Sequence, residues 1–378
     1  MTGSKPGVPS LLRELNDSAA LKHIMLVGGV TRSELAAHTG LSRVTSSQAL
    51  ARLEALGLIS SGGRRPGARG PAAELYVLAP GVGCAVGVAL YASEVRAELA
   101  DLTGEVRAVV VFPLDDAPAA ACAAAVRAVL AEAGEEVGPL LEVTVATPGV
   151  IDPATGNLAF AHDLATDTDL RGDLTKALGV PVSLGNDVHL AALAERRAGV
   201  AAGEHDFVLL WVGRGIGMAS VIDGVVRVGS SGAAGEIGYL PVPGVPLPDR
   251  VDNLEQGSFQ RVVGASAVQE LAKEHGLSMA DPDAVAASLA FVAELGRRIG
   301  LGVAAIGTIQ DPSLFVLTGE TVFAAGPLLP AAVADAVSRI APVHPRVELA
   351  ALALEGPVRG AVLHAVEEAR EVLMQRLR

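Results

Sequence analysis

The chain is short of cysteine. It has two, Cys84 and Cys122, too few for a disulfide framework or a four-cysteine zinc site. Histidine does not make up the deficit, because no two of the eight stand at i, i+4 or at another metal-ligand spacing. Charged residues are scarce at 19%, and glycine and proline are spread throughout, which excludes a largely disordered chain. Positive charge is in deficit. The net charge of −13 rules out a protein that binds nucleic acid with its whole surface. Long apolar runs are missing too. Leu75–Ser93 lacks charge and approaches membrane-spanning length, but Pro80, Gly81, Gly83 and Gly87 interrupt it. It reads as a linker and a buried strand. Met1–Pro9 is polar and shows no secretory leader, so a cytoplasmic protein without membrane partners is expected.

What is present is a chain of 378 residues, half of them hydrophobic, enough for two or three folded units. The charge is unevenly placed. Residues 1–80 hold nine Lys and Arg against five Asp and Glu, while the rest holds twenty against thirty-seven. A small basic unit (+4) is joined to a large acidic one (−17), which suggests nucleic-acid contact through the N-terminus alone. The local pattern agrees. Asp17 or Ser18 is placed to cap a helix carrying Leu21, Ile24 and Met25. Thr31 with Glu34 spells a capping box, Gly40 a tight turn, and Ser42 the cap of a further helix. On that helix Ala49, Leu50, Leu53 and Leu56 form a buried seam that also takes in Ser46, while Arg43, Ser47, Gln48 and Ala51 face away. Two short helices joined through glycine match a helix-turn-helix. Strand signals at Gly57–Ser60 and Glu74–Leu78 flank a Gly- and Arg-rich tip, a wing. Residues 1–80 are therefore expected to form a winged helix-turn-helix. Arg43, Thr45, Ser47 and Gln48 would meet base edges and phosphates, with Arg64, Arg65 and Arg69 of the wing on phosphates or in the minor groove.

The remaining residues alternate strand and helix patterns, an α/β chain with two lobes. Four stretches carry a family resemblance: Pro148-Gly149-Val150-Ile151-Asp152; Asn186-Asp187 followed by Ala191 to Glu195; Ile222-Asp223-Gly224; and Gly232 to Gly238. In this order, with Leu41 to Thr45 before them, they resemble the ROK family, which joins bacterial sugar kinases to sugar-responsive repressors. The resemblance runs from about Leu11 to the C-terminus. It implies an actin-like fold of the sugar kinase/HSP70 ATPase type over residues 81–378. Lobe 1 would cover about 81–189 plus the C-terminal helix, and lobe 2 about 190–357.

Against that family the nucleotide side is altered. Ala89 stands at the acid of the first phosphate loop, Tyr91 at its first glycine, Arg214 within the second loop, and Glu320 where a double glycine is usual. The family's zinc site lacks its ligands as well, with Tyr239 for histidine and no cysteine in Pro241–Asn253. The sugar side is better kept: the resemblance assigns sugar contact to Asn186, Asp187, Glu236 and Glu255, with Asp163 a further candidate and Asp187 at the kinases' base position. Carboxylates and amides suit paired hydrogen bonds to adjacent hydroxyls; Asp187 also has the position of a cap for a helix from Val188. The expectation is a transcriptional regulator, a repressor, with no catalytic residues, metal or cofactor. Its partners would be operator DNA, a sugar or sugar-derived effector, and a second copy in a homodimer or higher homo-oligomer. An active sugar kinase with an added DNA-binding domain is the alternative, and a regulator controlled by a protein partner a third.

Overall fold

The computed structural model of the chain describes residues 9–65, 72–114, 117–161, 169–253, 255, 257–375 and 377. They fall into two compact units. One comprises Met1–Val145, Arg171–Ser183 and Ala361–Arg378; the other comprises Ala146–Leu170 and Leu184–Gly360.

The first unit opens with α1 (Pro9–Val27). Asp17 and Ser18 do not start this helix, as the cap pattern suggested, but lie inside it. Asp17 is instead buried, and its carboxylate accepts Nε and Nη2 of Arg52 at 2.8 and 2.6 Å. After β1 (Val30–Thr31) comes α2 (Arg32–Thr39), with the expected capping box between Thr31 and Glu34 and Gly40 left-handed at its end. Ser42 caps α3 (Arg43–Ala55) by accepting the Thr45 N–H at 3.1 Å. Ser46, Ala49, Leu50 and Leu53 form its buried side. Leu56 departs from the seam: the helix has ended, and the residue is 61% exposed. β2 (Ile59–Arg65) and β3 (Ala73–Leu78) make the antiparallel hairpin, with β1 on the other side of β3.

A meander follows: β4 (Cys84–Leu90), β5 (Glu94–Asp101) and β6 (Val106–Pro113), antiparallel in sequence. Helix α4 (Pro118–Ala133) leads to β7 (Leu140–Thr147), the small hairpin β8 (Val150–Ile151) and β9 (Leu158–Phe160), α5 (Leu170–Leu178) and β10 (Val182–Asn186). The sheet order is β10-β7-β4-β5-β6. In the second unit, α6 (Asp187–Ala198) precedes β11 (Phe207–Val212), β12 (Ile216–Ile222) and β13 (Val225–Val226). Helices α7 (Gln260–Val263), α8 (Ala265–Glu274), α9 (Pro282–Ala287) and α10 (Leu289–Gln310) intervene before β14 (Leu314–Thr318). Then come α11 (Glu320–Ala325), α12 (Leu329–Ile340) and β15 (Arg346–Leu349); the last helix, α13 (Gly356–Gln375), belongs to the first unit from Ala361 on. This sheet reads β13-β12-β11-β14-β15. Each sheet thus places its own strands in the order third, second, first, fourth, fifth. That doubled topology is the expected actin-like architecture.

Packing follows from strand periodicity. Val208, Leu210 and Val212 of β11 enter a core shared with α10 and α12, whereas Phe207, Leu209 and Trp211 enter another with α6. The sheet is buried on both faces, which explains the continuous apolar runs. At the C-terminus, Val362, Ala365, Val366, Ala369 and Leu373 of α13 share a core with Leu21, Ile24 and Met25 of α1. Gly87 lets α13 approach β4 closely, because a Cβ there would stand 2.2 Å from the Val362 nitrogen.

Candidate DNA interface and effector site

The outward face of α3 is a shallow, open groove of about 420 Å³ lined by Arg43, Val44, Ser47, Gln48 and Ala51. Arg43, Gln48 and Val44 are exposed, the last at 66%. Thr45 is half-buried, and its hydroxyl lies 2.8 Å from that of Ser42, so part of its polarity is spent on the cap. Ser46 is fully buried, and its Oγ meets no hydrogen-bond partner among the described residues. On the wing, Arg64 is exposed. Arg65 donates Nη1 to both carboxylate oxygens of Glu34, at 2.9 and 3.1 Å. Arg69 lies outside the described residues. Sequence reasoning passed over Arg32. Its Nε donates to the Tyr76 hydroxyl at 3.1 Å and its guanidinium carbon sits 5.5 Å from the ring centre, which braces α2 on β3.

The candidate effector site is built where β10 passes into α6. Asn186, not Asp187, caps the helix: its Oδ1 accepts the His189 N–H at 3.0 Å, and its Nδ2 donates to the Gly149 carbonyl at 3.0 Å. Both ends of its amide therefore have protein partners. Asp187 is the first helical residue and accepts the Val188 N–H at 2.9 Å. Burial pushes its carboxyl up to about 6; Glu320 pushes the same way, while backbone N–H groups and Arg214 oppose. Glu236 is pushed up to about 7, by burial first and then by the negative charge of Asp187. Asp187 thus acts on Glu236, and Glu320 on Asp187. Gly235 holds this turn with φ of 106°, and a Cβ there would lie 2.0 Å from the Met218 carbonyl oxygen. His189 also belongs here, although only its place two residues after Asp187 signalled it. Its Nε2 lies 3.2 Å from the Ala234 carbonyl oxygen, which requires the Nε2–H tautomer, and burial lowers its pKa. Glu255 is exposed and accepts Gln260 Nε2 at 2.7 Å. Asp163 lies outside the described residues.

Comparison with known proteins resolves the family. Residues 85–368 match the ROK family, and residues 14–70 match the MarR family. The chain belongs to the ROK family. Among its relatives, the DNA-binding transcriptional dual regulator NagC of Escherichia coli K12 is 25% identical over 350 residues, covering 86% of this chain and 85% of NagC. A ROK-family transcriptional regulator homologous to E. coli Mlc superposes with a TM-score of 0.76 at 19% identity, over 97% of this chain and 98% of that one. The ROK hexokinase of Thermus thermophilus superposes at 0.64 with 28% identity, over 76% of this chain and 99% of the hexokinase. With its helix-turn-helix unit ahead of the ROK segment, the chain is a ROK transcriptional regulator.

The ROK motifs can now be given physical roles. Glu195, which closes the Asn-Asp motif, is buried and accepts the N–H groups of Val200 at 2.9 Å and Leu352 at 2.7 Å. It holds backbone in place. Ala89 is buried in β4, and Tyr91 closes the β4–β5 turn by donating its N–H to Glu94 at 2.9 Å. Arg96 packs over the Tyr91 ring at 5.3 Å. The Gly213–Gly217 turn is closed by Gly213 N–H on the Gly215 carbonyl at 3.1 Å. The Glu320 carboxylate lies directly against Gly213, where a Cβ would collide with it at 1.8 Å. Where other ROK members have a zinc-binding histidine, Tyr239 donates its hydroxyl to the Val251 carbonyl at 2.6 Å. The following loop is held by buried Val242 and by the Ser258 N–H on the Pro246 carbonyl at 2.8 Å. Among the described residues no group of three or more His, Cys, Asp or Glu is placed to hold a metal, and no helix is long and apolar enough to cross a membrane. Cys84 and Cys122 are buried, which pushes their thiols up to about 11 and 12.

Proposed function

We propose that residues 1–80 bind operator DNA and residues 81–378 sense a sugar or sugar-derived effector, with the lobes at about 81–189 plus the C-terminal helix and 190–357. The protein acts in the cytoplasm as a repressor, as a homodimer or higher homo-oligomer. Arg43, Ser47, Gln48 and Arg64 contact DNA directly. Thr45 and Arg65 contribute while also holding Ser42 and Glu34, and Arg69 adds a phosphate or minor-groove contact. Asp187 and Glu236 grip the effector, Asn186 and His189 position them, and Glu255 and Asp163 are further sugar contacts. Three points support a sugar: two carboxyls pushed up by burial, with the charge of Asp187 acting on Glu236; no metal-ligand cluster among the described residues to neutralise them; and the hydrogen bonds that hydroxyl donors would supply. A neutral sugar fits better than a phosphorylated one.

The protein uses no ATP and needs no zinc. The observation that carries the first of these is the Glu320 carboxylate against Gly213, which puts negative charge beside the loop that would meet phosphate; Tyr239, spent on the Val251 carbonyl, supports the second. Ala89 and Tyr91 support the first as well. A second reading, an active sugar kinase, is supported by Asp187 at the base position and by the likeness to the ROK hexokinase. The test is gel-shift titration with the upstream region of its own gene, in the presence of a panel of neutral sugars and their 6-phosphates, alongside a coupled ATP-consumption assay and elemental analysis. Specific binding released by one sugar, with background ATP use, is the expected result. Sugar-dependent ATP turnover abolished by Asp187→Asn would establish the kinase instead, and one zinc per chain would refute the metal-free reading.

A further inference from the structure

The groove on α3 has an apolar component that folding does not explain. Val44 is 66% exposed on the first turn, while the buried side of the helix is filled by Ser46, Ala49, Leu50 and Leu53. A β-branched residue is also a poor helix former at a solvent-facing position. Val44 does not stand alone. Val44, Gln48 and Ala51 follow one another at helical spacing, beside the row Arg43 and Ser47. Two apolar positions, Val44 and Ala51, thus stand on either side of Gln48 in this row, with Arg43 beside Val44. We propose that Val44 reads the 5-methyl group of a thymine in the major groove.

This rests on the DNA-binding reading above and deepens it. The charge of the N-terminal segment and the exposed Arg43 and Arg64 select a polyanion as the occupant. In the major groove of DNA the apolar group offered by a base edge is the thymine methyl. The neighbours then have matching partners: Arg43 suits the O6 and N7 of guanine, and Gln48 the N6 and N7 of adenine. The half-site read by α3 therefore contains a thymine flanked by a guanine and an adenine contact.

The experiment selects DNA from a random duplex pool with the full chain. Each thymine of the enriched site is then replaced singly by deoxyuridine, which lacks only the methyl. The parent should lose about four-fold in affinity at one thymine per half-site, the worth of one buried methyl. Val44→Ser should bind the parent site about four-fold more weakly and be indifferent to uridine there, since the two changes remove the same contact. Val44→Ala, a better helix former, controls for folding and should fall between. If uridine at every thymine costs nothing, or costs the same in the parent and in Val44→Ser, the proposal is overturned while DNA binding stands. If no sequence is enriched, the DNA-binding reading falls and takes this one with it.

Discussion

Glu34 receives the guanidinium of Arg65 on both carboxylate oxygens while also accepting the Thr31 N–H at 2.8 Å. One side chain therefore closes the capping box of α2 and ties β2 of the wing to that helix. Glu34→Gln should weaken both. The Thr31 N–H bond, the largest cause, and Arg65 hold the Glu34 carboxyl below its usual range. A lowered folded pKa adds stability above the unfolded pKa, and that stability is lost as pH falls through the folded one. The substitution should flatten the acid limb of a thermal melt below about pH 5. It should also free Arg65 and raise non-specific DNA affinity, read by gel shift.

Ser46→Ala is expected to stabilise the protein. Its hydroxyl is fully buried without a partner among the described residues, a cost of about 1–3 kcal/mol that alanine removes. A small cavity offsets part of that gain. The melting temperature should rise by a few degrees, with DNA affinity unchanged because the residue faces inward.

Breaking the Asp17–Arg52 pair should be costly. It is bidentate and joins α1 to α3 from 11% and 35% exposed side chains. Asp17→Ala should lose about 2 kcal/mol, read from a urea midpoint, and a double-mutant cycle with Arg52→Met should show a clear coupling term. A surface pair would show almost none.

Asp187 and Glu236 predict a stability that declines with rising pH. Their folded carboxyls titrate near 6 and near 7, above the usual carboxylate range, so the folded chain binds more protons than the unfolded one between about pH 4 and 7. Stability therefore falls as pH rises through that window. Glu142, buried and pushed up to about 7, has the same sign, while His189 and His364, lowered mainly by burial, have the opposite one. The difference between the parent and Glu236→Gln isolates the site. The variant should melt at a higher temperature than the parent at pH 8, and the gap should shrink by pH 5. Saturating effector should narrow the gap at pH 8, because hydroxyl donors satisfy the carboxylates.

Local interactions were legible in the sequence. The Thr31–Glu34 box, the Gly40 turn and the Ser42 cap each close within a few residues, so spacing alone reveals them. The α/β alternation showed in the same way, and the linear order of the ROK motifs pointed to the family and to Asn186, Asp187 and Glu236. Only the tertiary structure decided what these groups do. Asp17 looks like a cap until Arg52, thirty-five residues away, takes its carboxylate. Asp187 looks like a cap until the Asn186 side chain is seen in that place, with Gly149 holding its other end. Glu34 gains Arg65, Glu320 meets Gly213, and α13 shares a core with α1 across more than 300 residues of chain. The physical reason is separation. Backbone caps and turns are set by dihedral angles and by partners one helical turn away, whereas desolvation, charge coupling and burial depend on groups that only the folded chain brings together.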